Sequence, residues 1–327
     1  MSLESVFMPL SLEAYTDELA GRKDLIWPKP PKAEPANARP GIRHLPEVRC
    51  VLWNVYGTFL NIFQGEILFE HPKEIVMSFA LEKTIQEFNM WTSMSRRPGL
   101  PSVQMKVLYD QVIAFDMVGI GSVSGEKYPE RPAEKIWEIL IKNKLKSDYH
   151  FDVSKYGQLP DYAKKIAYFF HASLQGTCPH EGAVEAIRSI SDLGLRQGIL
   201  TDGQCFTWAQ VRRGILEENP TLDPDLFFDR KLRIISSDVG AKKPSERIFK
   251  RAKEALASTG LQPSQVLFVS NKLEKDLGPA KKMGMRTALF VGDKSTLQAR
   301  PEQLKDPHMS PDLLLTRLDE LHLAFAG

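Results

Sequence analysis

The stretch VLWNVYGT, residues 51–58, is an apolar run that ends in a polar turn. A short run of apolar residues with a glycine close behind it predicts a buried strand followed by a tight turn. The first polar residue after the run is Asn54, at a position where this pattern leads us to expect an aspartate. Most of what the sequence says about function depends on how Asn54 is interpreted.

The composition predicts a soluble protein with a large core. Of the 327 residues, 43% are hydrophobic, which is enough for one large domain or two. The 43 lysines and arginines nearly balance the 41 aspartates and glutamates, which argues against a surface dedicated to nucleic acid or membrane. The cysteines, Cys50, Cys178 and Cys205, show no metal-ligand or disulfide spacing, which favours a reducing compartment. Because no segment has the features of a signal peptide or a membrane span, we expect a cytoplasmic location.

Two parts of the chain lie outside the predicted core. Residues 27–41 are rich in proline, which continues neither a helix nor a central strand, so we interpret residues 1–45 as an extended N-terminal arm. Residues 64–177 carry mainly helical signals and predict an all-helical cap domain. The first helix predicted there places on one apolar face the residues Ile75, Phe79, Leu81, Ile85 and Phe88.

The pattern of apolar residues changes at Gly182, where short predicted strands begin to alternate with predicted amphipathic helices. This alternation predicts an α/β core with a parallel sheet that is covered by helices on both faces. We expect that core to comprise residues 46–63 and 178–327. Ligands of such sheets bind beyond the carboxyl ends of the strands.

Four polar clusters fall at the predicted ends of strands: NVYGT (54–58), TDG (201–203), KKP (242–244) and SNKLEKD (270–276). Each cluster alone is a weak signal, since TDG after a strand is usually a turn and KKP before a helix is usually a solvated face. In this order, they resemble the four sequence motifs of the haloacid dehalogenase (HAD) superfamily of hydrolases. The resemblance covers about residues 49–291. It implies a Rossmann-like doubly wound sheet, the HAD-like core, and the helical insertion is similar to that superfamily's cap of the first type.

The resemblance implies a group-transfer site in which a carboxylate attacks the substrate and forms a covalent intermediate. A hydroxyl and a lysine then neutralise and orient the oxygens of the transferring group. The catalytic positions that this implies are Asn54, Tyr56, Thr58, Thr201 and Lys243. The predicted substrate-binding residues are Gly57, Asp202, Gly203, Arg97 and His171. A Mg²⁺ ion would be held at Asn54, Tyr56, Asn271 and Asp276.

Asn54 is the larger of two departures from the family pattern. A neutral carboxamide is a poor nucleophile and brings no negative charge to a cation, so we predict a chain that is inactive or nearly inactive. Since Asn271 is also neutral, Asp276 is the only carboxylate left and Mg²⁺ binding should be weak. Two explanations compete: an engineered change that traps substrate, or a natural protein that has lost its activity. The retention of the other motif residues favours an engineered change.

Tyr56 is the second departure, because phosphatases of the family usually place a second aspartate there as general acid. The first motif, NVYGT, is closer to the D-x-Y-G-T motif of the superfamily's haloacid dehalogenases. Those enzymes need no metal and use serine and asparagine in the fourth motif. Ser270 and Asn271 match the dehalogenase pattern, whereas the five-residue step from Asn271 to Asp276 is typical of the metal-binding phosphatases. A metal-free C–X hydrolase therefore stays open beside a phosphatase-like hydrolase.

A third alternative is a non-catalytic ligand-binding or assembly protein on the HAD fold, with the N-terminal arm and the cap as an interface. We expect the ligand in each enzyme hypothesis to be a small anionic molecule, with a phosphate ester favoured. His171 is more simply explained as a packed histidine, and Arg97, with Arg96, as a solvated basic pair. The oligomeric state is left open, with a homo-oligomer as one option.

Overall fold

The structure is a computed structural model that describes residues 8–94, 99–144 and 149–325. Its internal contacts divide the chain into two units, which are referred to below as the helical unit and the α/β unit. The helical unit comprises Met1–Lys29, Leu68–Gly125 and Arg131–Gly176. The α/β unit comprises Pro30–Ile67, Glu126–Glu130 and Thr177–Gly327.

The helical unit is built around its last helix. Its helices are α1 (Leu12–Gly21), α2 (Glu74–Glu87), α3 (Pro101–Ser124), α4 (Ala133–Lys144), α5 (Val153–Tyr156) and α6 (Leu159–Leu174). Helix α6 contacts α1, α2, α4 and α5 and buries an aromatic stripe that includes Tyr162, Phe169 and Phe170. Aromatic side chains bury a large apolar area each, so this stripe supplies much of the unit's core.

Helix α2 forms as predicted, but it turns a different face to the core. Ile75 and Phe79 are each 64% exposed, which corrects their assignment to one packed face with Leu81 and Ile85. The face that is buried carries Met77, Ala80, Leu81, Thr84 and Ile85. Small side chains such as alanine let two helices approach closely. Periodicity alone does not show which of two apolar faces of a helix will be buried.

The predicted N-terminal arm is divided between the two units. Residues 8–29 belong to the helical unit, where Trp27 lies edge-on to Phe169 with ring centroids 5.3 Å apart. Residues 30–45 belong to the α/β unit, where Gly41 forms a bridge with Leu314. The bounds therefore differ from an arm of residues 1–45, and the segment before residue 30 contributes a packed helix.

The α/β unit contains the predicted parallel sheet. Its strands are β1 (Cys50–Trp53), β2 (Leu60–Ile62), β3 (Thr177–Pro179), β4 (Arg196–Thr201), β5 (Arg233–Ile235), β6 (Val266–Ser270), β7 (Arg286–Phe290) and β8 (Leu313–Leu315). Six of them pair in parallel in the order β5-β4-β1-β6-β7-β8, while β2 and β3 form a small antiparallel pair. The helices are α7 (Ala183–Asp192), α8 (Thr207–Glu218), α9 (Pro224–Phe227), α10 (Ser236–Val239), α11 (Glu246–Ser258) and α12 (Gly278–Lys282). The predicted α/β fold class is confirmed.

Strand β1 lies at the centre of the sheet and is buried on both faces. Val51 and Trp53 belong to one apolar cluster, whereas Cys50 and Leu52 belong to a second cluster on the other face. This is the burial expected of a doubly wound sheet, in which successive side chains point to opposite faces. The register pairs Trp53 with Ile199 of β4 and Val269 of β6, so the ends of three neighbouring strands lie together. Within the described part of the chain, no helix is long and apolar enough to cross a membrane.

Candidate active site

The carboxyl ends of β1, β4 and β6 bring three of the predicted motifs to one edge of the sheet. Asn54 follows β1, Thr201 ends β4, and Asn271 follows β6. Lys243, from the remaining third motif, lies in the loop between α10 and α11 and is only 3% exposed. Asn54 is 2% exposed, so the polar groups of this edge must satisfy one another.

The hydrogen bonds of Asn54 fix which way its amide points. Its Oδ1 accepts from Lys243 Nζ at 2.9 Å and from Thr201 Oγ1 at 3.1 Å. Because a lysine ammonium only donates, the atom that faces it must be the oxygen. The Nδ2 group then donates to the Tyr56 carbonyl at 2.9 Å and to Asn271 Oδ1 at 3.3 Å. The amide of Asn54 therefore links the second and third motifs to the fourth.

Lys243 and Asp276 form a buried ion pair next to Asn54. Their Nζ and Oδ2 atoms are 2.5 Å apart, and both side chains are fully buried. Ser270 Oγ donates to the same oxygen at 2.6 Å. The other oxygen, Asp276 Oδ1, has no hydrogen-bond partner among the residues that the structure describes. One ammonium and one carboxylate thus supply the formal charge closest to Asn54.

Tyr56 and Thr58 approach the site with different groups. The phenol of Tyr56 donates to Gln210 Oε1 at 2.5 Å and lies 3.0 Å from Thr207 Oγ1, so only its carbonyl contacts Asn54. The Thr58 hydroxyl lies beside Asn271, donating to Oδ1 at 3.0 Å and accepting from the backbone amide at 3.0 Å. Thr58 therefore holds Asn271 of the fourth motif in place by two hydrogen bonds. The Tyr56 phenol instead bonds to residues of α8.

Gly57 has a φ of 77°, in the left-handed region that favours glycine. A Cβ at this position would lie 2.5 Å from Asn271 Nδ2 and 3.1 Å from the Gly65 Cα. We expect Gly57→Ala to displace Asn271 and to lower the free energy of unfolding by about 3 kcal/mol, measured by chemical denaturation. Gly260→Ala is the matched control, because Gly260 has the same φ of 77° and open space around an added Cβ. That control should lose only about 1 kcal/mol, and equal losses would contradict the steric explanation.

Asp202 and Gly203 shape the turn after β4. Asp202 Oδ1 accepts from the backbone amide of Lys243 at 2.8 Å, which joins the second motif to the third. Burial raises the pKa of the Asp202 carboxyl. The amide of Gly203 donates to Ser236 Oγ at 2.8 Å, and a Cβ at Gly203 would lie 2.4 Å from Thr207 Oγ1. The turn therefore leaves no space for a side chain at this glycine.

The sequence reasoning missed Glu130, which supports that turn from a distant part of the chain. It belongs to Glu126–Glu130, a segment of the α/β unit that lies between α3 and α4 in sequence. The Glu130 side chain is buried and accepts from Ser236 Oγ at 2.5 Å and from Gln204 Nε2 at 3.2 Å. Its surroundings in sequence carry only loop signals, so no pattern could have identified it.

Lys272 and Glu66 form a second ion pair that the sequence did not predict, in which the lysine side chain is buried and the glutamate side chain is partly exposed. Lys272 Nζ lies 3.0 Å from Glu66 Oε1, and Gln298 Nε2 donates to the same oxygen at 3.0 Å. Burial alone would raise the pKa of Glu66, but Lys272 and Gln298 outweigh it and lower the pKa to about 2. Lys272 directly follows Asn271, so this ion pair anchors the loop after β6.

Arg97 and His171 are the remaining residues that the sequence predicted to bind substrate. Arg97, like Arg96, lies outside the described residues. His171 lies inside the helical unit, where it is 2% exposed and edge-on to Phe69 and Phe170. Burial lowers the pKa of His171 to about 3, so the ring is neutral. This environment favours the alternative of a packed histidine.

The predicted metal ligands do not fit a Mg²⁺ ion as they are arranged. Mg²⁺ requires oxygen ligands, with carboxylates preferred. The Tyr56 carbonyl and Asn271 Oδ1 already accept hydrogen bonds from Asn54 Nδ2, which lies where a cation shared by these oxygens would have to be. Asp276 is paired with Lys243. The described residues contain no group of three or more His, Cys, Asp or Glu side chains that could hold a metal ion.

Comparison with known proteins shows what this chain is similar to. A model described as haloacid dehalogenase-like hydrolase matches residues 142–284, a range that includes Thr201, Lys243, Asn271 and Asp276. A glyceraldehyde 3-phosphate phosphatase of Pyrococcus abyssi is 34% identical over 110 residues, which cover 33% of this chain and 41% of the relative. A glyceraldehyde 3-phosphate phosphatase of Methanocaldococcus jannaschii is 28% identical over 198 residues, which cover 58% of this chain and 77% of the relative.

The chain thus spans about two fifths of the length of the Pyrococcus phosphatases that it matches. Among solved structures, the L-2-haloacid dehalogenase of Xanthobacter autotrophicus with covalently bound chloropropionic acid is 19% identical. That similarity covers 84% of this chain and 97% of the dehalogenase, with a TM-score of 0.40. The family match over residues 142–284 and the parallel sheet with its motifs at the strand ends make the chain similar to the haloacid dehalogenase-like hydrolases over that part of its length.

Proposed function

We propose that this chain binds a small phosphate ester at Asn54 and hydrolyses it very slowly or not at all. The observation that carries the proposal is the position of the Asn54 amide, which contacts Lys243 at 2.9 Å and Thr201 at 3.1 Å. These two side chains are the groups that the family resemblance assigns to the oxygens of the transferring group. These contacts support the assignment of Asn54 to the position of the attacking carboxylate in such an enzyme.

The groups around Asn54 support an anionic ligand. Lys243 brings a positive charge, and Thr201 brings a hydroxyl that can donate to a phosphate oxygen. Relatives that match part of the chain are named phosphatases, which favours a phosphate ester over other anions.

The chemistry of the amide opposes turnover. A carboxamide nitrogen is a weak nucleophile, and the carboxamide oxygen carries no formal charge with which to attack phosphorus. In the free protein the oxygen also accepts two hydrogen bonds, which withdraw electron density from it. Binding groups are thus retained while the attacking group is replaced.

Titration with inorganic phosphate and with an aryl phosphate tests the binding half of the proposal. We expect Thr201→Val, which removes the hydroxyl and keeps the shape, to weaken binding about tenfold, as the loss of one hydrogen bond to a charged group does. Thr201→Ser is the control, since it keeps the hydroxyl and should bind nearly as well as the unaltered chain. If neither ligand binds the unaltered chain, or if the valine variant binds equally well, the phosphate-ester proposal is wrong.

A metal-free C–X hydrolase is the second candidate, and Ser270 and Asn271 favour it. Both side chains lie in the hydrogen-bond network of Asn54, Lys243 and Asp276, without a carboxylate at position 271. The two candidates differ in the product that Asn54→Asp would release in the presence of a chelator. Release of halide from a haloacid would favour the second candidate, whereas release of phosphate only after addition of Mg²⁺ would favour the first.

A further inference from the structure

We infer that the Asn54 amide takes the place of the divalent cation that the family resemblance implies, so that this site is organised by its own side chains and binds no Mg²⁺. The inference concerns the cation and does not depend on which anion the site binds. It rests on the direction of the two asparagine side chains, on the oxygens around Nδ2, and on the charge at the site.

The direction of both amides follows from groups that can act in only one way. Lys243 Nζ only donates, so Asn54 presents Oδ1 to it and turns Nδ2 to the opposite side. The Thr296 carbonyl only accepts, so Asn271 presents Nδ2 to it at 2.7 Å and turns Oδ1 towards Asn54. Neither amide can be flipped without placing two donors or two acceptors against each other.

Three oxygens surround the Asn54 Nδ2 group. They are the Tyr56 carbonyl at 2.9 Å, Thr58 Oγ1 at 3.2 Å and Asn271 Oδ1 at 3.3 Å. A cluster of acceptor oxygens buried together needs either a cation or hydrogen-bond donors between them. Here the amide supplies two hydrogens on one nitrogen, and a cation would have to displace it.

The charge at the site supports the same interpretation. In phosphatases of the family, positions 54 and 271 would both carry acids, whose two negative charges balance one divalent cation. In this chain both positions are asparagine, so the two negative charges that a divalent cation would balance are absent. The remaining carboxylate of this cluster, Asp276, is already balanced by Lys243 at 2.5 Å. Loss of only one of these acids would leave a net charge at the site. Replacement of both acids by asparagine leaves the site neutral.

One oxygen of Asp276 remains as a potential ligand for a cation. Asp276 Oδ1 is buried without a hydrogen-bond partner among the described residues, which leaves one oxygen available. A single carboxylate oxygen whose charge is balanced by Lys243 is a poor ligand set for Mg²⁺, which prefers six oxygens in octahedral geometry. A water molecule bridging to a neighbouring polar group suits this oxygen better.

Restoring both acids should convert the site into a metal site. We expect the Asn54→Asp/Asn271→Asp variant to bind one Mn²⁺ per chain, detected by loss of the free Mn²⁺ signal in electron paramagnetic resonance. Mg²⁺ should compete for this site and raise the melting temperature of the variant by about 5 °C. The unaltered chain should leave the Mn²⁺ signal unchanged, and its melting temperature should not respond to Mg²⁺.

A variant with the same added charge separates the cluster from a general effect of charge. In Asn54→Asp/Asn61→Asp, the second acid replaces a buried asparagine whose Nδ2 donates to the Pro31 carbonyl and takes no part in the cluster. This control should bind Mn²⁺ at least about tenfold more weakly than the first variant, since it adds one carboxylate to the cluster where the first variant adds two. Equal binding by the two variants would overturn the inference.

The unaltered chain provides a test that no folding defect can obscure. Stoichiometric Mn²⁺ binding by the unaltered chain would overturn the inference directly. If the double variant is insoluble alone, its recovery by Mg²⁺ but not by an equal ionic strength of NaCl would support it. A folded double variant that binds no Mn²⁺ would also overturn it. Failure to bind phosphate would leave these results unaffected and would count only against the proposed function.

Discussion

Replacing Asn54 with aspartate should give a chain that releases phosphate from an aryl phosphate in the presence of Mg²⁺. The carboxylate would lie within reach of Lys243 and Thr201, which contact the present amide at 2.9 and 3.1 Å. Removal of a nucleophile from other covalent enzymes lowers the rate by about 10⁴- to 10⁶-fold. We therefore expect a gain of at least about 10³-fold over the unaltered chain, measured by continuous release of the aryl alcohol.

The control for this gain is Asn271→Asp, which adds the same charge to the neighbouring side chain, 3.3 Å from Asn54 Nδ2. It supplies no nucleophile and should stay as inactive as the unaltered chain. Combining it with Asn54→Asp should increase the rate further, because two acids hold the cation better than one. The absence of turnover across a broad panel of phosphate esters would count against the nucleophile position assigned to Asn54.

Loss of the Lys243 ammonium should have the largest effect on stability. Lys243→Met would leave the carboxylate of Asp276 fully buried, with the Ser270 hydroxyl as its only side-chain partner among the described residues. Breaking a buried ion pair on one side usually costs about 3–5 kcal/mol. We expect a loss of free energy of unfolding in that range, measured by chemical denaturation, together with loss of phosphate binding.

Two further variants show whether the unpaired carboxylate causes the loss. Lys243→Met/Asp276→Asn removes both charges and should recover most of the stability but none of the phosphate binding. Arg188→Met breaks an exposed ion pair with Glu185 and should cost less than about 1 kcal/mol. If Lys243→Met and the double variant were equally unstable, the buried charge would not be the cause.

The parallel sheet could be predicted because its strands are short, apolar and separated by amphipathic helices. In β1 all residues are buried, and its polar successor Asn54 marks the end of the strand. Parallel strands share one carboxyl edge, so the sequence already implied that Asn54, Thr201 and Asn271 lie close together. The motif order then placed Lys243 beside them.

Other features could not be predicted, because they depend on tertiary contacts between distant parts of the chain. Glu130 reaches the turn after β4 from a segment more than 70 residues earlier in the chain, where only loop signals occur. Helix α2 offers two apolar faces, and packing against α6 selects the one with Ala80 over the one with Phe79. The direction of the Asn54 amide likewise follows from its partners and not from its own position in the sequence.

The central claim is that the site keeps its binding groups but has no attacking group at residue 54. The most direct test is to incubate the unaltered chain with p-nitrophenyl phosphate and to measure both the bound ester and the free phosphate. We predict one ester bound per chain and recovered intact after an incubation in which Asn54→Asp converts its ester completely. Phosphate release by the unaltered chain at the rate of the variant would contradict the account.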